Sequence, residues 1–198
     1  MLYIAQGIVI TKPAPAMSPR PDTRVLRVSV VVMGVSGCGK TTLGEALARE
    51  LGAPFVEGDA FHPPANVAKM ASGRPLDDSD RAGWLAALAQ RLAMGRERGE
   101  PVVLACSALK RRYRDVLRSA DPALRLVFLQ GRRELIAARL DARAGHFMPP
   151  SLLESQFRDL ESPSSDEECL ACDPAQPTAE LVRRAVQWLG ERGSTVKP

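Results

Sequence analysis

Short apolar runs alternate with longer amphipathic stretches along most of the chain. The runs fall at 28–33 (VSVVVM), 54–57 (PFVE), 101–106 (PVVLAC), 125–129 (RLVFL) and 168–172 (ECLAC) and read as β-strands. Between them, helical patterns cover 39–51, about 64–72, about 79–98, 108–119, 132–143, 150–160 and 178–191. Strands that alternate with helices predict a parallel sheet covered on both faces. The runs 28–33 and 101–106 are almost continuously apolar, as expected of central strands buried on both sides. Asp78 or Ser79 is placed to cap the helix that turns Trp84, Leu85, Leu88 and Leu92 inward. Gly99 and Pro101 end that helix, and Asp121-Pro122 marks the turn before the fourth strand. The expectation is one three-layer α/β domain over 28–193 with five parallel strands.

Residues 1–27 stand apart. A brief apolar start gives way to prolines, without the basic start, continuous apolar centre and cleavage site of a signal peptide. They read as a disordered extension ahead of a natural start such as Met17. No apolar run approaches membrane-spanning length, so no membrane partner is expected. With 45% apolar, 25% charged and 5% aromatic residues, the chain has the balance of a soluble domain with a full core. So few aromatics argue against a single-strand nucleic-acid binder, while the formal charge of +4 favours an anionic ligand. Four cysteines fit a cytoplasmic protein. Cys169 and Cys172 have C-x-x-C spacing, but residues three apart on a strand point to opposite faces. No second pair is present to complete a zinc site.

The first strand runs directly into Gly34-Val35-Ser36-Gly37-Cys38-Gly39-Lys40-Thr41, which matches the phosphate-binding pattern G-x-x-x-x-G-K-S/T. Glycines let successive backbone N–H groups converge on phosphate oxygens, and the following helix turns its positive end to the same anion. Lys40 would reach the outer phosphates, and the Thr41 hydroxyl would ligate Mg²⁺. A GTPase would read guanine through N-K-x-D, but the single asparagine, Asn66, sits in NVAK. A motor or AAA-type ATPase would place an acid at the end of a central strand, where this chain has Cys106-Ser107. A small phosphotransferase remains.

Such an enzyme needs cations over the transferring group. On a helix over 132–143, Arg132, Arg139 and Arg143 would fall within about 20° of one line, the place of a mobile lid near 132–160. A solvated basic face beside Glu134 and Asp141 is the alternative, and Arg133 falls off the stripe. For the acceptor, Asp59 follows the second strand at the sheet edge where ligands bind in open α/β folds. It either orients and deprotonates a hydroxyl or caps a following helix. Glu57, two residues earlier on the same side of a strand, would hold Mg²⁺ through water. His62 precedes two prolines and is therefore extended. Arg81 and Lys69 are candidates for an acceptor carboxylate or phosphate, with surface solvation the alternative for Lys69. Ser107 would donate to a substrate hydroxyl. The run Lys110-Arg111-Arg112 at a helix start is electrostatically unfavourable unless an anion lies close.

Taken together, MGVSGCGKTT, FVEGDAFHP, NVAKMASGRPLDDSDRAGWL, ACSALKRRYRD, RLDARAGHFM and SQFRDLESP resemble the small bacterial-type gluconokinases, in order and over about 29–190. Those enzymes are similar in fold to shikimate and adenylate kinases. The resemblance implies ATP-dependent phosphorylation of D-gluconate at its 6-hydroxyl, with Mg²⁺, in a cytoplasmic homodimer. It implies ATP on Gly34 to Thr41 and Thr42, Asp59 at the acceptor hydroxyl, and His62, Arg81, Ser107 and Lys110 around the sugar acid. Arg139 would lie against adenine, and Arg143 would be the lid arginine. Glu57 replaces a frequent Asp, and Cys38 a commoner Ser. Rival readings are a kinase for shikimate or another aldonate, a nucleoside-monophosphate kinase, and a P-loop protein that uses ATP only as a signal, with RNA on its basic surface.

Overall fold

The computed structural model describes residues 28–142 and 150–193. The extension 1–27 and Arg143, the expected lid arginine, lie outside the described residues. Among the described residues there are five strands: β1 Val30–Met33, β2 Phe55–Glu57, β3 Val103–Ala105, β4 Arg125–Leu129 and β5 Cys169–Cys172. They form one parallel sheet in the order β2-β3-β1-β4-β5. Seven α-helices accompany them among the described residues: α1 Lys40–Leu51, α2 Pro64–Ala71, α3 Asp78–Arg98, α4 Arg111–Ala120, α5 Arg133–Asp141, α6 Pro150–Asp159 and α7 Thr178–Gly193.

Strand alternation sorts the core into two layers. Val30 and Val32 of β1, with Val127 and Leu129 of β4, pack towards Leu43, Leu47, Ile136, Leu140, Leu153, Leu181 and Ala185. Val31 and Met33, with Leu126 and Phe128, pack towards Trp84, Leu88, Leu92, Tyr113 and Leu117. Thus α1, α5, α6 and α7 cover one face, and α3 and α4 the other. Central β1 and its neighbours β3 and β4 are buried throughout, as the apolar sequences of β1 and β3 require. Cys172 joins the first layer and Cys169 the second, so the C-x-x-C pair is split across the sheet, with both thiols free. Burial raises both thiol pKa values, Cys169 to about 11.

Three local expectations change. Helix α3 is capped by Asp77, not by Asp78 or Ser79. The Asp77 carboxylate accepts from Asp80 N–H at 2.9 Å and Asp80 returns a bond to Asp77 N–H at 2.8 Å, a reciprocal box. Lys69, expected at an acceptor anion or in solvent, pairs with both acids of that box. Arg132 is the extended residue before α5 (ψ 146°), so it shares no helical face with Arg139 and the three-arginine stripe does not form. Arg133 is indeed on the surface, paired with Glu154.

Candidate active site

The phosphate loop joins β1 to α1 at the C-terminal edge of the sheet. Gly34 N–H donates to the Ser107 carbonyl at 3.3 Å, which ties the start of the loop to the end of β3. Gly39 closes the loop with φ 101°, a conformation that strongly favours glycine. Helix α1 then starts with no side-chain cap and no acid in its first turn. Its free N–H groups and dipole therefore suit an anion. The Lys40 ammonium is buried and donates to the Val35 carbonyl at 3.2 Å, across the loop. Cys38 is buried, which raises its thiol pKa despite the nearby Lys40 charge.

Opposite the loop, β2 ends at Glu57 and the chain enters a 3-10 turn, Gly58–Phe61. Glu57 caps this turn, accepting from Asp59 N–H at 3.4 Å, so the acids are not alternate residues of one strand. Its other oxygen accepts from the Thr41 hydroxyl at 2.7 Å. The Asp59 carboxylate caps nothing: it makes no hydrogen bond or ion pair among the described residues and lines the cleft of the phosphate loop. Cys106, fully buried at the end of β3, lies within the fields of Asp59, Lys40 and Glu57, and burial pushes its pKa up to about 12. Gly58 permits this crowding, because a Cβ there would lie 2.4 Å from the Ala105 carbonyl oxygen. Trp84 Nε1 fixes the Gly58 carbonyl at 2.7 Å.

Beyond Asp59 lie the expected acceptor groups. The His62 ring stacks on Trp84 with centroids 4.5 Å apart, and Nδ1 lies 3.4 Å from the Asn66 amide. Burial lowers its pKa, while the Asp59 charge opposes this and the Arg81 charge adds to it. Arg81 is buried; its Nη1 donates to the Leu76 carbonyl at 2.6 Å and to Tyr113 Oη at 3.4 Å. Lys110 bonds Asp78 at 3.0 Å, and both Lys110 and Arg81 stand 5.7 Å from the Tyr113 ring centre. Burial would lower the Lys110 pKa, but Asp78, Tyr113 and Asp159 together raise it. The half-buried Ser107 keeps its hydroxyl unbonded among the described residues. The anions that relieve the Lys110-Arg111-Arg112 run belong to the protein itself. Asp78 meets Lys110 and Arg112, Asp166 meets Arg111, and Glu161 accepts from Arg111 N–H at 2.6 Å.

A cleft of about 670 Å³ runs from Ser36–Leu43 past Asp59 to Arg139 and the segment Pro174–Thr178. Arg139 donates to the Pro174 carbonyl at 2.6 Å, which closes this end. Two parts of the site received no role in the sequence reading. The wall Pro174–Pro177 carries no motif. Gln156 of α6 accepts from Ser36 N–H at 2.7 Å and donates to Ser36 Oγ at 3.3 Å across 120 residues of sequence. A lone amide on a helix gives no signal for such a contact.

A phosphate loop at a helix N-terminus, with an acid that no described residue binds and the cations Arg81 and Lys110 beyond it, marks a P-loop kinase of small molecules. A family model described as an AAA domain matches residues 30–163, the nucleotide-binding core. A gluconokinase of Gluconobacter oxydans is 53% identical over 138 residues, covering 70% of this chain and 78% of that protein. The crystal structure of a gluconokinase from Sinorhizobium meliloti superposes with a TM-score of 0.80 at 50% identity, covering 87% of this chain and 97% of that one. The chain belongs to the gluconokinase family. A shikimate kinase from Bacteroides thetaiotaomicron shares the fold, with a TM-score of 0.62 at 20% identity over 82% of this chain and 98% of that one.

Proposed function

We propose that this protein transfers the γ-phosphoryl group of ATP to the 6-hydroxyl of D-gluconate, giving 6-phosphogluconate and ADP. The observation that carries the reading is the Asp59 carboxylate, unpaired among the described residues and facing the phosphate loop. Gly34 to Thr42 cradle the phosphates through backbone N–H groups, and Lys40 turns from the Val35 carbonyl to the outer phosphates. Asp59 orients the acceptor hydroxyl and takes its proton as the oxygen bonds to the γ-phosphorus. The bond to the β-phosphate oxygen breaks, and ADP carries the electron pair away. Arg81 and Lys110 hold the sugar-acid carboxylate, His62 and Ser107 line its hydroxyls, Arg139 covers the adenine, and Arg143 serves the transferring group.

Thr41 and Glu57 offer only oxygen donors, which suits Mg²⁺. No cluster of three acid, His or Cys side chains for a metal occurs among the described residues; phosphates and water would complete the shell around Mg²⁺. Bound Mg²⁺ would neutralise charge on the phosphates. We place the enzyme in the cytoplasm as a homodimer, as its resemblance to the gluconokinases implies. Separately, no helix among the described residues is long and apolar enough to cross a membrane.

The test is ADP release with ATP and a panel of acceptors. Gluconate is expected to drive turnover, whereas shikimate, other aldonates and nucleoside monophosphates are not. Shikimate turnover without gluconate turnover would overturn the substrate assignment.

A further inference from the structure

Helix α6 touches both halves of the site. Gln156 grips Ser36 of the phosphate loop through two bonds. Asp159, three residues on, lies on the same side about 4.5 Å further along the axis. Its Oδ1 stands 3.5 Å from Lys110 Nζ and its Oδ2 3.7 Å from Arg81 Nη1. These pairs are longer than charge-assisted hydrogen bonds, which close to about 2.7–2.9 Å. Asp78 differs, because Lys110, Arg112 and Tyr113 all bond it and it sits in the first turn of α3, where a carboxylate is favoured. Asp159 ends α6, where the helix dipole disfavours a negative charge. It is a weakly held anion in a poor seat.

Arg81 is the other half of the observation. Its side chain is 9% exposed. Nη1 is spent on Leu76 and Tyr113, while Nε and Nη2 donate to nothing among the described residues. No fully buried polar side-chain atom there lacks a partner, so those two nitrogens reach solvent. A largely buried guanidinium with two unspent donors open to solvent, and a carboxylate standing loosely off its third nitrogen, is an anion seat held by a substitute.

We propose that Asp159 is that substitute: the acceptor carboxylate displaces it from Arg81 and Lys110, and α6 transmits the displacement to the phosphate loop through Gln156. The inference rests on the sugar-acid kinase reading above. Asp159 then sets acceptor affinity as a competitor, and Gln156 is a positioning residue. An amide suits this role, since its carbonyl takes the Ser36 N–H and its NH₂ meets the hydroxyl without adding charge beside the phosphates.

The experiment is calorimetric titration of D-gluconate into the full chain, with and without a non-hydrolysable ATP analogue. In the wild type, the analogue tightens gluconate binding by about fivefold or more. Asp159→Asn binds gluconate alone about three- to tenfold tighter, as expected on removing a competing charge, and loses the coupling. Asp159→Glu restores weaker binding. Gln156→Ala leaves the affinity for gluconate alone unchanged but abolishes coupling, and lowers kcat more than it raises KM. Unchanged or weaker binding in Asp159→Asn overturns the proposal, as does equally tight binding in Asp159→Glu or intact coupling in Gln156→Ala. Wild-type protein that releases no ADP with gluconate sinks the functional reading instead.

Discussion

Asp59 combines proximity with availability. Its carboxylate shares a cleft with Lys40 and Thr41, yet no described residue binds it, while neighbouring Glu57 is occupied by Thr41 and by the turn it caps. Asp59→Asn is therefore expected to lower kcat by roughly 10²–10⁴-fold while leaving ATP affinity nearly unchanged. A coupled assay and an ATP titration check this, and equal losses in both would reassign Asp59 to the metal or the fold. Lys40, Thr41 and Asp59 were legible in the sequence because a glycine-rich loop after an apolar strand, and an acid after the next strand, have few other uses. Residue type alone did not separate Arg81 from Lys69; the family resemblance singled out Arg81. Both are cations in one polar stretch, and burial beneath Tyr113 or pairing with the helix cap distinguishes them.

Among the elements, the 3-10 turn Gly58–Phe61 decides where both acids point. It packs so closely on the end of β3 that Gly58→Ala must push β2 away from β3 or tilt the turn. The expected cost is about 1–3 kcal/mol of stability. A displacement of the acids by about 1 Å would cost up to roughly 10²-fold in kcat. Thermal unfolding and turnover measured together check this; a lowered Tm with normal kcat would mean that the turn does not set the acids. The helices were legible from periodicity to within a few residues, but their ends were less so. Extending α5 back over Arg132 produced an arginine stripe that the extended backbone at that residue abolishes. Asp78 and Ser79 read as the caps of α3, and the backbone geometry selects Asp77 instead.

The whole molecule depends on segments that leave the sheet and return. Loop 161–168, which follows α6, is stitched to α4 by Arg114 and Glu167, whose side chains are 1% and 0% exposed. Arg114 Nε and Nη2 donate to the two Glu167 oxygens at 2.7 and 2.8 Å, and Arg118 adds a third bond. Burial alone would raise the Glu167 pKa, but these cations bring it down from an ordinary 4.5 to about 2. Since the folded state binds the proton less readily than the unfolded chain, the contribution is complete above pH 4.5 and is lost as pH falls towards about 2. Glu167→Gln, which strands a buried guanidinium, should cost roughly 3–5 kcal/mol at neutral pH. The gap from wild type should narrow through that acid window, as urea unfolding at a series of pH values would show.

Composition, periodicity and one glycine-rich motif were enough to establish a parallel α/β kinase domain and to locate its phosphate loop, because both follow from local spacing. Strand order, the partners of Lys69 and Arg111, the Pro174–Pro177 wall and the grip of Gln156 on Ser36 depended on the folded arrangement. Each joins side chains far apart in the chain, and spacing along a sequence carries no information about which distant groups meet when two layers close on a sheet.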